Sequence, residues 1–161
     1  MTKAEKRTRR VCFTGHRPEK LTRSERQVIA DLEEAIENAI ADGFNVFISG
    51  LAPGVDIWAA EIVLRLRDKG ADIKLICASH FEDFEKRWPN LSGRYNDIMT
   101  HADLTHFICQ GNVRGVHQIR NVWMMDHSAR VIAVFNGEKS GTKNTIDYAE
   151  RKSIPVVYIK G

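Results

Sequence analysis

The sequence has few cysteines, no long apolar run and little net charge, and each shortage excludes a class of protein. The three cysteines, Cys12, Cys77 and Cys109, lie in apolar runs; this small, odd number excludes a disulfide-rich fold and indicates buried free thiols in a reducing compartment. No apolar stretch reaches the roughly 20 residues that a membrane-spanning helix needs. No apolar segment follows the basic N-terminus, as it would in a signal peptide. We therefore expect a cytoplasmic protein with no membrane partner.

The net charge of +3 is small and unevenly distributed along the chain. The first ten residues contain five basic side chains and one acidic one, so the other 151 residues have a net charge of −1. We interpret residues 1–9 as a flexible basic tail. The near-neutral body argues against a nucleic-acid partner, because proteins bind such partners through basic charge clustered on the folded surface.

The composition, with 43% hydrophobic and 28% charged residues in a chain of 161, is that of an ordinary globular domain. Apolar runs alternate with segments of helical spacing from residue 10 onward. The strands are predicted at 10–14, 45–49, 73–78, 104–110, 130–135 and 155–159. Such continuous apolar runs are typical of strands covered on both faces. The pattern predicts one α/β domain over residues 10–161, a Rossmann-like, doubly wound and mostly parallel sheet with helices on both faces.

Two of the intervening helices give more detailed predictions. The segment Thr-Arg-Ser-Glu at 22–25 fits a capping box with Thr22 as the N-cap, before a helix that ends near Asp42. In a later helix, over 117–128, the spacing predicts that Ile119, Val122 and Trp123 face inward, with Met125 or Met124 as a further inward residue. Residues 81–101 are predicted to form one or two short helices.

Three predicted loops follow strands, and in a parallel sheet such loops meet at one edge, where ligands bind. The first is Thr-Gly-His-Arg-Pro at 14–18. Arg17 can bind a phosphate or carboxylate through two parallel hydrogen bonds, and His16 offers a titratable donor. The alternative is that this segment only shapes a turn.

The second loop, 49–56, contains Gly50 and Gly54, which would let a ligand approach the backbone of a helix start closely. Asp56 in that first turn either caps its helix or binds a ribose hydroxyl. The third loop, 136–144, places Ser140 and Thr142 at the start of a helix, where they either contact a ligand or only begin the helix. The three loops together favour an anionic ligand.

Several standard motifs are absent. The glycines at 137 and 141 have the wrong spacing for a P-loop, and no Gly-x-Gly-x-x-Gly follows the first strand. His101 and His106, with Asp103 between them, are interpreted as part of a solvated loop rather than as metal ligands. We expect no metal site.

Three segments together resemble the SLOG superfamily of DprA- and LOG-like Rossmann proteins, and within it the YpsA-like branch. They are Thr-Gly-His-Arg-Pro at 14–18, Ser-Gly-Leu-Ala-Pro-Gly-Val-Asp-Ile-Trp-Ala-Ala-Glu at 49–61 and Ser-Gly-Thr-Lys-Asn-Thr-Ile-Asp-Tyr-Ala at 140–149. The resemblance extends from about residue 10 to the end of the sequence.

The resemblance implies a bacterial or phage-type sensor or regulatory module that binds a nucleotide or a nucleotide-derived molecule, such as an ADP-ribose-like ligand. It implies no other cofactor, and it leaves association into a homo-oligomer open. The implied ligand contacts are Thr14, Gly15, His16, Arg17, Ser49, Gly50, Gly54, Val55, Asp56, Asn136, Ser140, Gly141 and Thr142.

Two other branches of the superfamily give alternative functions. LOG-type phosphoribohydrolases cleave the N-glycosidic bond of nucleoside monophosphates with a Pro-Gly-Gly-x-Gly-Thr-x-x-Glu motif. Here Thr145 stands in place of the glutamate and the Pro-Gly-Gly is missing, which argues against an enzyme. If the chain does hydrolyse an N-glycosidic or phosphate bond, Asp56 and Glu61 are the candidate carboxylates. The DprA-like branch binds single-stranded DNA, against which the near-neutral body argues.

Overall fold

The computed structural model describes residues 1–82 and 84–161. Its strands are β1 (Arg10–Gly15), β2 (Val46–Ser49), β3 (Lys74–Ser79), β4 (Leu104–Phe107), β5 (Arg130–Phe135) and β6 (Val156–Lys160). Its α-helices are α1 (Lys3–Arg7), α2 (Glu25–Ala41), α3 (Val55–Asp68), α4 (Ser92–His101), α5 (Val116–Asp126) and α6 (Gly141–Arg151). Short 3-10 helices span Pro18–Lys20 and Phe84–Arg87.

The six strands form one sheet in the order β4-β3-β2-β1-β5-β6, and every neighbouring pair is parallel. The chain builds outward from β1 to β4, crosses back through α5, and continues with β5 on the other side of β1. The loops after β1 and β5 therefore diverge from a topological switch point, where Rossmann-like folds bind ligands. The predicted fold class is confirmed.

The core lies on both faces of this sheet. On one face α2, α3 and α4 pack on side chains such as Phe13 and Phe47; on the other, α5 and α6 pack on side chains such as Cys12 and Ile48. Neighbouring residues of β1 and β2 thus enter opposite layers, as the pleat of a strand requires. All three cysteines are free; Cys12 and Cys77 are buried and Cys109 is half-buried. Burial raises the pKa of the Cys12 and Cys77 thiols to about 12, so neither is a reactive thiolate.

The predicted N-cap of α2 is wrong by two residues. Ser24 is the N-cap: its hydroxyl accepts a bond from the Gln27 amide, and the Gln27 side chain accepts one from the Ser24 amide. The Thr22 hydroxyl instead donates to the carbonyl of Gly161. Two overlapping capping-box patterns occur in this segment, and the helix uses the second while Thr22 bonds to Gly161.

The basic N-terminal segment contains the short helix α1, whose capping box joins Thr2 and Glu5. No side chain of α1 is buried, and the flexibility of residues 1–9 stays a prediction. In the part of the chain that the structure describes, no helix has both the length and the apolar character needed to cross a membrane.

Candidate functional site

A cleft of about 310 Å³ opens at the carboxyl edge of the sheet, where the loops after β1, β2 and β5 meet the first turns of α5. Eight of the residues predicted as ligand contacts line it: Thr14, Gly15, His16, Arg17, Asp56, Ser140, Gly141 and Thr142. The structure therefore brings the three predicted loops together at the switch point.

A larger hollow of about 470 Å³ lies at the opposite edge, where Arg10, Lys74 and Leu104 begin their strands. Its wall combines basic side chains with Asp72 and Asp103. The Asp103 carboxylate is already bonded by Arg67 and by the Leu75 amide, at 2.7 and 2.8 Å. We place the functional site in the smaller cleft, because ligands of open parallel sheets bind beyond the carboxyl ends of the strands.

Five predicted contacts, Ser49, Gly50, Gly54, Val55 and Asn136, do not line the cleft but support its wall. The buried hydroxyl of Ser49 donates to the Asp56 carbonyl at 2.7 Å and accepts from the Leu51 amide at 3.2 Å. These bonds hold Leu51 in the left-handed region, at a φ of 57°, where a non-glycine residue is strained. The loop after β2 is thus fixed internally.

The glycines of this loop allow contacts between protein segments. A Cβ on Gly50 would lie 1.5 Å from Nη1 of Arg120, so the guanidinium occupies the space that a side chain would need. Gly54 has a φ of 92°, and a Cβ there would lie 2.9 Å from Cδ of Pro18. These glycines thus make room for Arg120 and Pro18, and their contact with a ligand stays a prediction.

Arg120 is a site residue that the sequence analysis missed. It lines the cleft and is only 5% exposed, and its Nη1 donates to Oδ2 of Asp56 at 2.9 Å. The same Oδ2 accepts from the Ala52 amide at 3.2 Å. Burial raises the pKa of Asp56, and the Arg120 charge and these hydrogen bonds oppose that rise.

The buried face of α5 also differs from the prediction. Ile119, expected to face inward, is 45% exposed, whereas Met124 and Met125 are buried as predicted. Val116 and Arg120 are buried together with Met124. These three residues are four positions apart, so they share one side of the helix. A charged arginine can occupy this buried face because the carboxylate of Asp56, on α3, compensates its positive charge. No local sequence signal reveals a pairing across 64 positions.

The cleft is electrostatically positive. Among the described residues, its wall contains the cations Arg17, Lys20 and Arg120 and one carboxylate, that of Asp56. At one end α6 begins, with Ser140 as the N-cap accepting from the Lys143 amide at 3.1 Å. The first amides of a helix lack internal partners and lie at the positive end of its dipole. This combination suits an anion such as a phosphate.

Beside the cleft lies an aromatic cluster of His80, Phe84, Trp88 and His117, which the sequence analysis also missed. His80 is fully buried, stacks on Phe84 with ring centroids 3.7 Å apart, and places Nε2 2.9 Å from Nδ1 of His117. His117 lines the cleft. The Arg17 guanidinium lies 5.3 Å from the Trp88 ring centroid, so this side chain joins the cluster to the cleft.

The two histidines of the aromatic cluster are held neutral. Burial is the main cause that lowers the pKa of His80 and of His117, and the charges of Arg120, Arg87 and Arg17 lower both further. A neutral ring has one N–H and one lone pair, so one histidine donates to the other. The cluster therefore adds aromatic surface to the site without adding positive charge.

Glu61, the second candidate carboxylate, does not line the cleft. Its carboxylate accepts hydrogen bonds from the Nε and a terminal nitrogen of Arg94 on the outside of the domain. Because Glu61 follows Asp56 by five positions on α3, it points about 140° away around the helix. The structure does not bring these two carboxylates together.

The histidines weighed as metal ligands are also apart. Nδ1 of His101 lies 3.6 Å from the Asp97 carboxylate, and His106 stacks on Trp123 with ring centroids 5.0 Å apart. Over residues 1–82 and 84–161, no three His, Cys, Asp or Glu side chains gather as metal ligands.

Sequence comparison connects the chain with known proteins. A model described as the YspA SLOG family matches residues 11–160. The SPbeta prophage-derived protein YoqJ of Bacillus subtilis is 32% identical over 118 residues, which are 65% of this chain and 69% of YoqJ. A UPF0398 protein of Oceanobacillus iheyensis is 30% identical over 137 residues, which are 81% of this chain and 73% of that protein.

Two solved structures have a similar fold. DNA processing protein A (DprA) of Streptococcus pneumoniae superposes with a TM-score of 0.70 at 21% identity, over 96% of this chain and 51% of that one. The Helicobacter pylori protein of the same name gives 0.66 at 20% identity, over 99% of this chain and 68% of that one. The latter structure is described for its unique single-stranded DNA binding mode. At such low identity the likeness shows the fold alone.

Proposed function

We propose that this chain, which belongs to the YspA SLOG family, binds a nucleotide or nucleotide-derived small molecule in the cleft at the carboxyl edge of the sheet. One observation is central to the proposal. Three cations and the start of α6 surround one cleft of about 310 Å³ at the switch point, which is the place and the chemistry that bind phosphate groups in Rossmann-like folds.

Each cation has a distinct role in the proposal. Arg17 and Lys20 come from the segment after β1 and approach the ligand from one side, while the first turn of α6 faces it from the other. Arg120 lies between them, with one nitrogen bonded to Asp56. Asp56 offsets part of the Arg120 charge, while the buried Nε of Arg120 has no hydrogen-bond partner among the described residues.

We further propose that the site senses its ligand rather than transforming it. Oδ2 of Asp56 accepts from both Arg120 and the Ala52 amide, an arrangement that fixes a loop. Glu61 is absent from the wall of the cleft. Among the described residues, Asp56 is the one carboxylate that lines the cleft, and its bonded oxygen is less available as a general base.

Isothermal titration with AMP, ADP, ADP-ribose and their guanine counterparts tests the proposal. At least one should bind the wild-type chain, and Arg17→Ala should weaken that binding by about tenfold to a hundredfold, since a hydrogen bond to a charged group contributes about 1.5–3 kcal/mol. The matched control is Arg65→Ala, which removes an arginine paired with Glu33 outside the cleft. No binding by any of these ligands, or equal affinity in Arg17→Ala, would contradict the proposal.

Chromatography of the ligand after incubation separates sensing from hydrolysis. Ligand recovered intact supports a sensor. Release of free base or ribose phosphate, abolished by Asp56→Asn, would establish a phosphoribohydrolase-like enzyme instead.

Single-stranded DNA is the second candidate ligand. The H. pylori protein with this fold is described as binding it, and in this chain Arg17 and Arg87 lie over the rings of Trp88 and Phe81 at 5.3 and 5.4 Å. Cation–aromatic pairs of this kind contribute to stacking bases in single-strand grooves. The near-neutral net charge of residues 11–161 argues against a nucleic-acid partner. The cleft itself, however, is locally cationic.

Salt dependence distinguishes the two candidates. Affinity for an oligothymidylate, measured by fluorescence anisotropy at several salt concentrations, falls steeply with salt if several phosphates are bound, with a slope of about −0.7 per phosphate on logarithmic axes. Tight, salt-sensitive binding of the oligothymidylate that free nucleotides do not displace would favour DNA as the ligand. Weak binding that a nucleotide displaces would favour the small ligand.

A further inference from the structure

Asn121 is a polar side chain of the cleft wall that the sequence analysis did not select. It lies on α5, one position after Arg120, lines the cleft and is half-buried, so the residue is accessible from the cleft. Its Nδ2 donates to Oγ1 of Thr145 on α6 at 3.0 Å. This bond connects the two helices whose first turns both line the cleft.

The hydroxyl of Thr145 fixes the orientation of the Asn121 amide. A threonine hydroxyl has a single hydrogen, and that of Thr145, a residue only 1% exposed, donates to the Gly141 carbonyl at 3.0 Å. Towards Asn121 the same oxygen can therefore only accept, so the amide nitrogen must face Thr145. A rotated amide would place the Asn121 oxygen against an oxygen that has no hydrogen left to donate.

The fixed amide leaves Oδ1 of Asn121 as an unused acceptor. The bond from Nδ2 to Thr145 is the one hydrogen bond that this side chain makes with the residues that the structure describes. Because Asn121 is half-buried rather than enclosed, water can bond to Oδ1 when no ligand is bound. A ligand that fills the cleft displaces this water, and it loses affinity unless it offers a donor in its place.

The position of Asn121 beside the start of α6 indicates which part of a ligand supplies the donor. Gly141, whose carbonyl accepts from Thr145, lines the cleft in the first turn of α6, where the proposed function places a phosphate. The phosphate oxygens are acceptors, so they do not pair with Oδ1. The donor must come from a group next to the phosphate, and a nucleotide has such donors in its sugar hydroxyls and in the amino group of its base.

We propose that Oδ1 of Asn121 accepts a hydrogen bond from a hydroxyl or amino group next to the ligand phosphate, and so makes the site selective for ligands that carry this donor. The inference rests on the proposed function. Asn121 is in this role a specificity-determining residue. Thr145, which does not line the cleft, is the positioning residue that holds the amide.

Isothermal titration with a nucleotide that binds, and with analogues that each lack one donor, tests the inference. The analogues are the 2′-deoxy form, the 3′-deoxy form and the form whose base has no exocyclic amino group, so they distinguish a sugar hydroxyl from a base amino group. One of them should bind the wild-type chain about tenfold more weakly than the parent nucleotide, the effect of leaving one acceptor without its partner.

Three variants show which residue causes this preference. Asn121→Leu removes the acceptor with little change in size, and it should bind the parent nucleotide and that analogue equally. Thr145→Val retains the shape of Thr145 but removes the hydroxyl that orients the amide, so the preference should shrink although Asn121 is present. Asn96→Leu, the matched control, changes an exposed asparagine of α4 outside the cleft and should retain the full preference.

Three results would overturn the inference while the proposed function stands. They are equal binding of the parent nucleotide and all analogues by the wild type, a preference that survives in Asn121→Leu, and a full preference in Thr145→Val. If no nucleotide binds at all, the proposed function and this inference are both wrong.

The hydrogen bond between the two helices can be measured without a ligand. In a ¹H–¹⁵N correlation spectrum, the side-chain amide signals of Asn121 should shift in Thr145→Val, because the amide loses its acceptor. Unchanged signals would contradict the inference whatever the titrations show. A melting curve for Asn121→Leu close to that of the wild type confirms that lost selectivity does not result from unfolding; if this variant does unfold, Thr145→Val decides the matter.

Discussion

The Arg120 guanidinium and the Asp56 carboxylate form a buried ion pair, 2.9 Å from Nη1 to Oδ2, that joins α5 to α3 beneath the cleft. Removal of one partner leaves the other charge buried and unpaired, which costs about 3–5 kcal/mol. We therefore expect Arg120→Met to lower the free energy of unfolding by about that amount, measured by urea denaturation.

A double variant provides the control for this pair. Arg120→Met combined with Asp56→Leu removes both charges, and it should be markedly more stable than Arg120→Met alone because no unpaired charge remains. An Arg120→Met chain as stable as the wild type would show that the pair contributes nothing to folding.

Gly50→Ala tests the close approach of Arg120 to the loop after β2. The new Cβ would lie 1.5 Å from Nη1 of Arg120, so the guanidinium must move and its bond to Asp56 must lengthen or break. We expect lower stability and weaker ligand binding together. Gly93→Ala is the matched control, because a Cβ there meets nothing within 4 Å; it should leave both unchanged or raise stability slightly. Unchanged affinity in Gly50→Ala would contradict the placement of Arg120.

The pH dependence of stability follows from the buried histidines. His80 and His117 have pKa values below the ordinary 6.5 in the folded chain, so the unfolded chain binds protons more readily. Their neutral forms therefore stabilise the fold fully above pH 6.5, and this contribution falls as the pH drops below 6.5. We expect the melting temperature to decrease between pH 7 and pH 5.

His80→Leu should make the melting temperature fall less steeply with pH, because it removes one histidine whose pKa differs between the folded and unfolded chain. It also removes the contact with His117, which lowers stability at pH 7. The raised pKa of Asp56 has the opposite effect, because it makes the fold more stable as the pH falls. This effect is the same in the wild type and in His80→Leu. A melting temperature that changes with pH as steeply in His80→Leu as in the wild type would refute the assignment of a neutral His80.

Glu61→Gln should leave ligand affinity unchanged and reduce stability by less than about 1 kcal/mol, because an exposed ion pair contributes little. Its only hydrogen bonds among the described residues are with Arg94, outside the cleft. Titration with a bound nucleotide and a thermal melt measure both quantities. Loss of affinity comparable to that of Arg17→Ala would place Glu61 in the site.

The parts of the site that the sequence predicts are those determined by local patterns. Apolar runs locate the strands, and the parallel sheet they imply places Arg17 and Ser140 at one edge. The missing parts depend on distant contacts: Arg120 is buried because of Asp56, and His80 is paired with His117, 37 positions later. Likewise Thr22, the predicted N-cap of α2, bonds to Gly161 at the far end of the sequence. Spacing along the chain contains no information about such partners.

The strand order also has a consequence for the sequence of events in folding. Among β1 to β4, each strand pairs with the strand that precedes or follows it in the chain. The pairing of β1 with β5 instead joins distant residues, such as Val11 and Arg130. Closing that long loop has a high entropic cost, so we expect the pairing of β1 with β5 to form late. Since α5 and α6 complete the cleft, we expect the proposed ligand affinity to appear last during folding, and a ligand bound there to slow unfolding.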